Sequence, residues 1–235
     1  MMGVDLLVPQ PQDSRLYGVT IGIVTNNQDP DGLGRVKVKF PWLSDVDESH
    51  WARIASAIAG AEQRGLYWLP EVDDEVLVAF EQGDVAFPYI LGGLWNGTDQ
   101  PPGNNDDGEN NQRLLKTRSG HTVVFDDKKD AAQVIVTSSS GHQILLDDTK
   151  DAEKIVIRSQ SGHQIKVDDK AENIEVGDAD GKNKIIIAIK DNAITIATDG
   201  TLTLSGQNLE LTAKAGVKIT AKQNIDLQGA AVNVK

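Results

Sequence analysis

The sequence predicts an all-β chain in two parts: a small closed barrel, followed by a long repetitive β-structure that needs three copies to fill its centre. Two observations carry this prediction. Before residue 96, short alternating strands are separated by turn signals. After residue 112, the text becomes periodic, with Ser-Gly-His recurring every 21 residues at His121, His142 and His163. Between them, Asn96–Asn111 is a run of Gly, Asn, Asp and Pro that reads as a linker. The expected division is an N-terminal segment 1–15, a barrel 16–96, a linker 97–112 and a repeat region 113–235.

Five strands are expected in the barrel. Tyr17–Val24 alternates around Val19, Ile21 and Ile23. Arg35–Phe40 places Val36, Val38 and Phe40 on one face and Arg35, Lys37 and Lys39 on the other. Trp51–Ile58, Glu75–Phe80 and Tyr89–Leu94 follow. Turns are marked by Asp29-Pro30-Asp31-Gly32, Gln82-Gly83-Asp84 and Asn96-Gly97. Ala52–Ala61 is rich enough in alanine to be helical instead, and Ile54 and Ile58 suit either state. Five short strands in about 80 residues suit an OB-type barrel.

In the repeat region each Ser-Gly-His is followed by a strand and then by an Asp-Asp pair, at Asp126-Asp127, Asp147-Asp148 and Asp168-Asp169. The strands alternate apolar residues: Val123 and Phe125, Ile144 and Leu146, Ile165 and Val167. A second strand closes each unit at Val134–Val136, Ile155–Ile157 and Ile174–Val176, and the third unit is two residues shorter. Two strands and two turns cannot bury an apolar face alone, so each unit must stack on its neighbours. Past Gly181 the spacing falls to about eight residues, from Ile194/Ile196 through Leu202/Leu204, Leu209/Leu211 and Val217/Ile219 to Ile225/Leu227. Two inward side chains per strand are too few to fill a single-chain solenoid. Three chains, each forming one wall of a prism, bring the apolar pairs onto a shared axis. The expected state is a homotrimer.

Composition narrows the function. The net charge is −12, which disfavours nucleic acid and acidic lipid surfaces. There is no cysteine for disulfides or thiolate metal sites. No apolar run approaches the roughly 20 residues that span a bilayer, and Met1–Gln12 has no secretory pattern. The expectation is synthesis and assembly in the cytoplasm, with any later crossing of a membrane driven from outside the chain.

The barrel segments "YGVTIGIVTNNQDPDGLGRVKVKFPWLSD", "WARIASAIAG", "GLYWLPEVDDEVLVAFEQGD" and "PYILGGLWNG", with the Ser-Gly-His…Asp-Asp repeats, resemble the phage baseplate assembly protein V and VgrG spike family. The resemblance runs from about Leu16 to the C-terminus. It implies an OB-fold collar and a trimeric, intertwined β-helical needle at the distal end of a contractile injection machine: a phage tail, a type VI secretion apparatus or an extracellular injection particle. Sheath contraction would drive the needle outward through a target envelope. VgrG proteins carry large N-terminal hub domains, whereas about 15 residues precede the barrel here. The hub is expected either as a separate partner on the barrel side or as a preceding part of a longer protein, with the tail tube as an indirect partner. Some family spikes carry a muramidase where this chain has its short linker. Some needles end in a His-x-His iron site, which has no counterpart near Val232-Asn233-Val234-Lys235.

Candidate sites are few. His121, His142 and His163 could stack as rings on a trimer axis and hold a metal. The preferred reading is a corner, in which Gly supplies an unusual backbone angle and His packs or bonds at the strand start. The Asp-Asp pairs read as turn formers rather than calcium ligands. Asp178-Ala179-Asp180-Gly181 lacks the downstream glutamate of a calcium loop. Asp73 and Asp74, adjacent on a strand, would not converge as an acid/base couple. Trp42, Tyr67 and Trp68 could stack bases, but are read as core and trimer-interface anchors. No catalytic residue and no cofactor is expected. Apolar Val232 and Val234 at the C-terminal end predict a separate PAAR-type tip protein. The expected role is a non-enzymatic puncturing spike; the alternatives weighed are an envelope-degrading enzyme and a glycan-binding repeat fibre.

Overall fold

Alternation in the first hundred residues becomes five strands: β1 (Val19–Asn26), β2 (Lys37–Lys39), β3 (Arg53–Ile54), β4 (Glu75–Phe80) and β5 (Pro88–Gly93). The structure is a computed structural model and describes residues 15–44 and 46–232. The chain divides into two compact units, one ending at Asn104 and the other beginning at Asn105.

In the first unit the sheet order is β2-β1-β4-β5-β3, with β3 and β5 parallel and the other pairs antiparallel. A bridge between Val36 and Ala52 joins the two ends of this order and closes the barrel. The inward positions of the alternating strands make the core: Val24, Val36, Val38, Phe40, Ala52, Val76, Val78, Phe80 and Ile90. Gly22 lies against this core, where a Cβ would stand 3.0 Å from Val78 Cγ2. The open helix-or-strand question at Ala52–Ala61 resolves to a two-residue strand and a loop. Hydrogen bonds from Ala55 N to Ile90 O and from Leu66 N to Ile58 O hold that stretch extended, so tertiary pairing overrides alanine's helix preference.

The Asp29-Pro30-Asp31-Gly32 turn is locked by charge. Asp29 accepts from the Arg35 guanidinium at 2.8 and 2.7 Å and from the backbone N–H groups of Asp31, Leu33 and Arg35. These bonds, that from the Arg35 side chain first, hold its carboxyl well below the usual carboxylate range.

The second unit is a nine-stranded antiparallel meander in strict chain order: β6 (Gln112–Lys116), β7 (Thr122–Asp126), β8 (Gln133–Thr137), β9 (Gln143–Asp147), β10 (Lys154–Arg158), β11 (Gln164–Asp168), β12 (Asn173–Gly177), β13 (Lys184–Ala188) and β14 (Ala193–Ala197). Every strand has five residues, so each 21-residue unit is one hairpin plus its two connections. The shorter third repeat is accommodated in the β11–β12 turn, which is two residues shorter than those of the first two units.

The eight-residue pattern has a different outcome. Ile194 and Ile196 belong to β14, the last rung of the meander. Residues 198–232 form no strand and are almost wholly exposed. A four-residue segment followed by a tight turn has no neighbouring strand of its own chain to pair with.

Candidate functional site

Register turns the apolar alternation of the meander into two continuous columns on one face. Leu115, Val123, Val136, Ile144, Ile157, Ile165, Val176, Ile185 and Ile196 stand opposite one another along the first. Phe125, Val134, Leu146, Ile155, Val167, Ile174, Ile187 and Ile194 make the second. Thirteen of these seventeen side chains are exposed, from 39% at Ile187 to 73% at Ile194. Fully burying one aliphatic side chain contributes about 1.5–3 kcal/mol. Half of that, over thirteen residues, is on the order of 10–20 kcal/mol per chain, as large as the stability of a typical domain. A face of this length and apolarity marks an interaction surface.

The opposite face carries three columns. Its central one begins Leu114, Val124, Ile135, Leu145, Val156 and is flanked by polar side chains that pair with their cross-strand neighbours. Lys154 Nζ lies 2.9 Å from Asp147, and Arg158 donates to Gln143 at 2.8 Å. Val156 is the buried apolar residue of this unit among the described residues, at 6% exposure. The polar-flanked face is finished within one chain. The two-column face is not.

The corners are built by repetition. At one edge Thr117, Ser138 and Ser159 begin the turns: their hydroxyls accept from the N–H of His121, His142 and His163 at 3.1, 3.0 and 3.1 Å. Gly120, Gly141 and Gly162 take φ of +92°, +89° and +91°, the left-handed region that disfavours a side chain. The imidazoles tie successive corners together, since His121 Nδ1 accepts from Ser139 N at 3.1 Å and His142 Nδ1 from Gln160 N at 3.2 Å. With Nδ1 used as an acceptor, the neutral ring carries its proton on Nε2. The hydroxyl residues were missed in the sequence reading, although a Thr or Ser four places before each histidine at the 21-residue period was there to find.

At the other edge the first aspartate of each pair caps its turn: Asp126 accepts from Lys128 N, Asp147 from Thr149 N and Asp168 from Ala171 N. Asp147 is 6% exposed. Burial opposes its charge, but bonds from Thr149, Lys154 and Gln133 outweigh that and hold its carboxyl well below the usual range. Asp168 is lowered chiefly by the Ala171 N–H, and Asp178 chiefly by the Asn183 side chain, which it caps at 2.6 Å. Among the described residues no group of three or more His, Cys, Asp or Glu could hold a metal ion. No described helix is long and apolar enough to cross a membrane.

In the barrel, Trp42, Tyr67 and Trp68 are not core residues. They are 51%, 77% and 53% exposed, because the inward positions of the strands are already filled by valines, Phe40, Phe80 and Ile90. Tyr67, Trp68 and Trp95 line a groove of about 940 Å³. Val232 is exposed, and Val234 lies outside the described residues.

Residues 20–95 match the type VI secretion system/phage-baseplate injector OB domain. The barrel is similar to that domain along nearly its whole length. The injector OB domain extends into similarity with VgrG-type proteins. The chain is 41% identical over 76 residues to the type VI secretion system spike protein VgrG3 of Vibrio cholerae, covering 31% of this chain and 7% of that protein. It is 35% identical over 99 residues to the actin cross-linking toxin VgrG1 of Vibrio cholerae, covering 40% of this chain and 9% of the relative. Against the spike protein VgrG1b of Pseudomonas aeruginosa, identity is 31% over 118 residues, covering 45% and 16%. The chain thus spans a small fraction of the length of the curated relatives it matches. Over that stretch it is similar to VgrG-type spike proteins.

Proposed function

We propose that this chain is one copy of a homotrimeric, non-enzymatic central spike of a contractile injection machine. The observation that carries the proposal is the pair of uncovered apolar columns across nine strands. A flat wall with one finished face and one apolar face is completed by two more walls of the same kind, and three walls close into a prism with a dry centre. Closure also removes the sheet edges that would otherwise invite aggregation.

Residues 198–232 fit the same assembly. Their backbone groups have no partner strand among the described residues, and their eight-residue apolar pairs are met when three copies wind together. The injector OB domain would seat the trimer on a hub protein of the baseplate, with the tail tube behind it. A needle held by many backbone hydrogen bonds in parallel suits axial load and would pierce a target envelope when the sheath contracts. The particle would be assembled in the cytoplasm and delivered outward. A PAAR-type tip protein would cover the C-terminal end around Val232 and Val234.

Native mass spectrometry tests the reading directly, with a mass of three chains expected in dilute neutral buffer. A stable single-chain mass would remove it. For the tip, deletion of residues 230–235 should abolish pull-down of a PAAR-type protein, and unchanged binding would place the tip elsewhere.

A further inference from the structure

The two long edges of the meander differ in chemistry. One holds the Ser-Gly-His corners. Across residues 116–122, 137–143, 158–164 and 177–184 it carries five Lys or Arg and three His against two Asp. The other holds the Asp-Asp corners. Across residues 126–133, 147–154, 168–173 and 188–193 it carries eleven carboxylates against six lysines. Every strand runs from one edge to the other, so the two series of corners climb in step.

Each edge also presents groups that its own chain leaves unused. With Nδ1 of His121 and His142 accepting from backbone, their Nε2–H groups are donors without a partner among the described residues. The His163 ring has no side-chain partner at all among the described residues. On the opposite edge, Asp148 and Asp169, the second members of their pairs, are exposed and make no side-chain hydrogen bond or ion pair with the described residues. Asp127 meets Arg113 at 3.1 Å and keeps further acceptor sites.

Threefold symmetry about the stacking direction is heterologous: the right edge of each wall must meet the left edge of the next. We propose that the seam between copies is this corner-to-corner ladder, with the imidazoles and cations of one Ser-Gly-His edge bonded to the free Asp-Asp carboxylates of the neighbouring copy. The partner is a second copy of this chain, and the ladder rests on the homotrimer reading above. The apolar columns supply the association energy. The ladder supplies register, because a slip by one corner would set the hairpin connections of one edge against the wrong rung of the next.

The chain contains no cysteine, so introduced thiols are the only ones present. Three double variants combine His142→Cys with Asp127→Cys, Asp148→Cys or Asp169→Cys, and each is treated with a short bismaleimide. His142 and Asp148 bracket the five residues of β9, about 17 Å of extended strand, so the linker cannot join them within one copy. A covalent three-copy band on a denaturing gel is expected from at least one pair, while the single variants give none. The pair that links names the rung offset. If all three variants keep a three-chain native mass and none links, or if single variants link as well as pairs, the seam is elsewhere although the trimer stands. A one-chain native mass for the unmodified protein would instead end the trimer reading, and the seam with it. A second arm uses charge. Asp148→Lys/Asp169→Lys should lower the melting temperature of the trimer, and adding His142→Asp/His163→Asp should restore most of the loss. No drop, or a further drop on adding the second pair, overturns the ladder.

Discussion

The barrel and the meander are built from the same kind of alternating strand, and they solve burial in opposite ways. Five strands of the injector OB domain curl until Val36 meets Ala52, and nine residues become a closed core. Nine strands of the meander stay open, and among the described residues only Val156 of its apolar side chains is buried. More sheet has produced less core. The difference lies in the connections. The barrel's strands vary in length and are joined by loops that let β3 return beside β5, whereas the meander's equal strands and short turns can only add the next rung to a growing wall.

This contrast can be broken first on the apolar face. Ile157 and Ile165 stand opposite each other there, 49% and 45% exposed. Ile157→Lys/Ile165→Lys should convert the three-chain assembly to single chains on native mass measurement. All four Trp lie in the barrel segment, so tryptophan fluorescence should be unchanged. Loss of both signals together would mean that the barrel depends on the wall.

The converse substitution is Ile90→Ala in the barrel core, where Ile90 is 1% exposed. It should cost about 2–5 kcal/mol in denaturant unfolding followed by tryptophan fluorescence. Circular dichroism of the assembled sheet should report the meander largely intact.

Within the meander, Asp147 sharpens the comparison, as a buried charged residue of that unit. Asp147→Ala leaves Thr149, Lys154 and Gln133 without their acceptor and should cost about 1–3 kcal/mol. The folded-state value of Asp147 is depressed. Its contribution is therefore fully present above the ordinary carboxylate value and is lost progressively as pH falls from there through the depressed folded value. A melting-temperature series between pH 7 and pH 3 should show the gap between the wild type and Asp147→Asn constant near neutrality and only beginning to narrow at the acid end.

The smallest effects belong to the corners. Gly141→Ala and Gly162→Ala both force a Cβ into the left-handed region, at a cost of about 1–2 kcal/mol. Gly162→Ala should cost more, because its Cβ would stand 2.8 Å from Ala179 Cβ, whereas at Gly141 the nearest atom is 3.4 Å away. Equal melting temperatures would show that the corner is free to relax.

Much of this was legible before any coordinates. Glu75–Phe80 alternates so cleanly that its strand bounds coincide with the expected ones. The 21-residue period located every hairpin of the first three units, and Ser-Gly-His marked the corner glycines correctly. The Ala52–Ala61 stretch was ambiguous because propensity and pairing disagree there, and pairing to Ile90 decided it. The aromatic residues Trp42, Tyr67 and Trp68 read as core and trimer-interface anchors; they lie outside the core, because composition could not tell an inward position from a loop position. The ties from His121 and His142 to the next corner join residues 18 apart, beyond the reach of any local pattern.

By itself the sequence determined the strands of the three 21-residue units and their corner glycines, because alternation of apolar and polar residues and the need for left-handed glycine are properties of a few consecutive residues. It did not single out β6 or β13, and the strands it led one to expect from Leu202 to Leu227 do not form within one chain. It also determined that some face would be apolar. Only the tertiary structure decided that the repeats make a single flat wall, which columns line up across it, and which of its two faces is left without cover. Those follow from register between strands, and register is a relation among distant residues that no single segment contains.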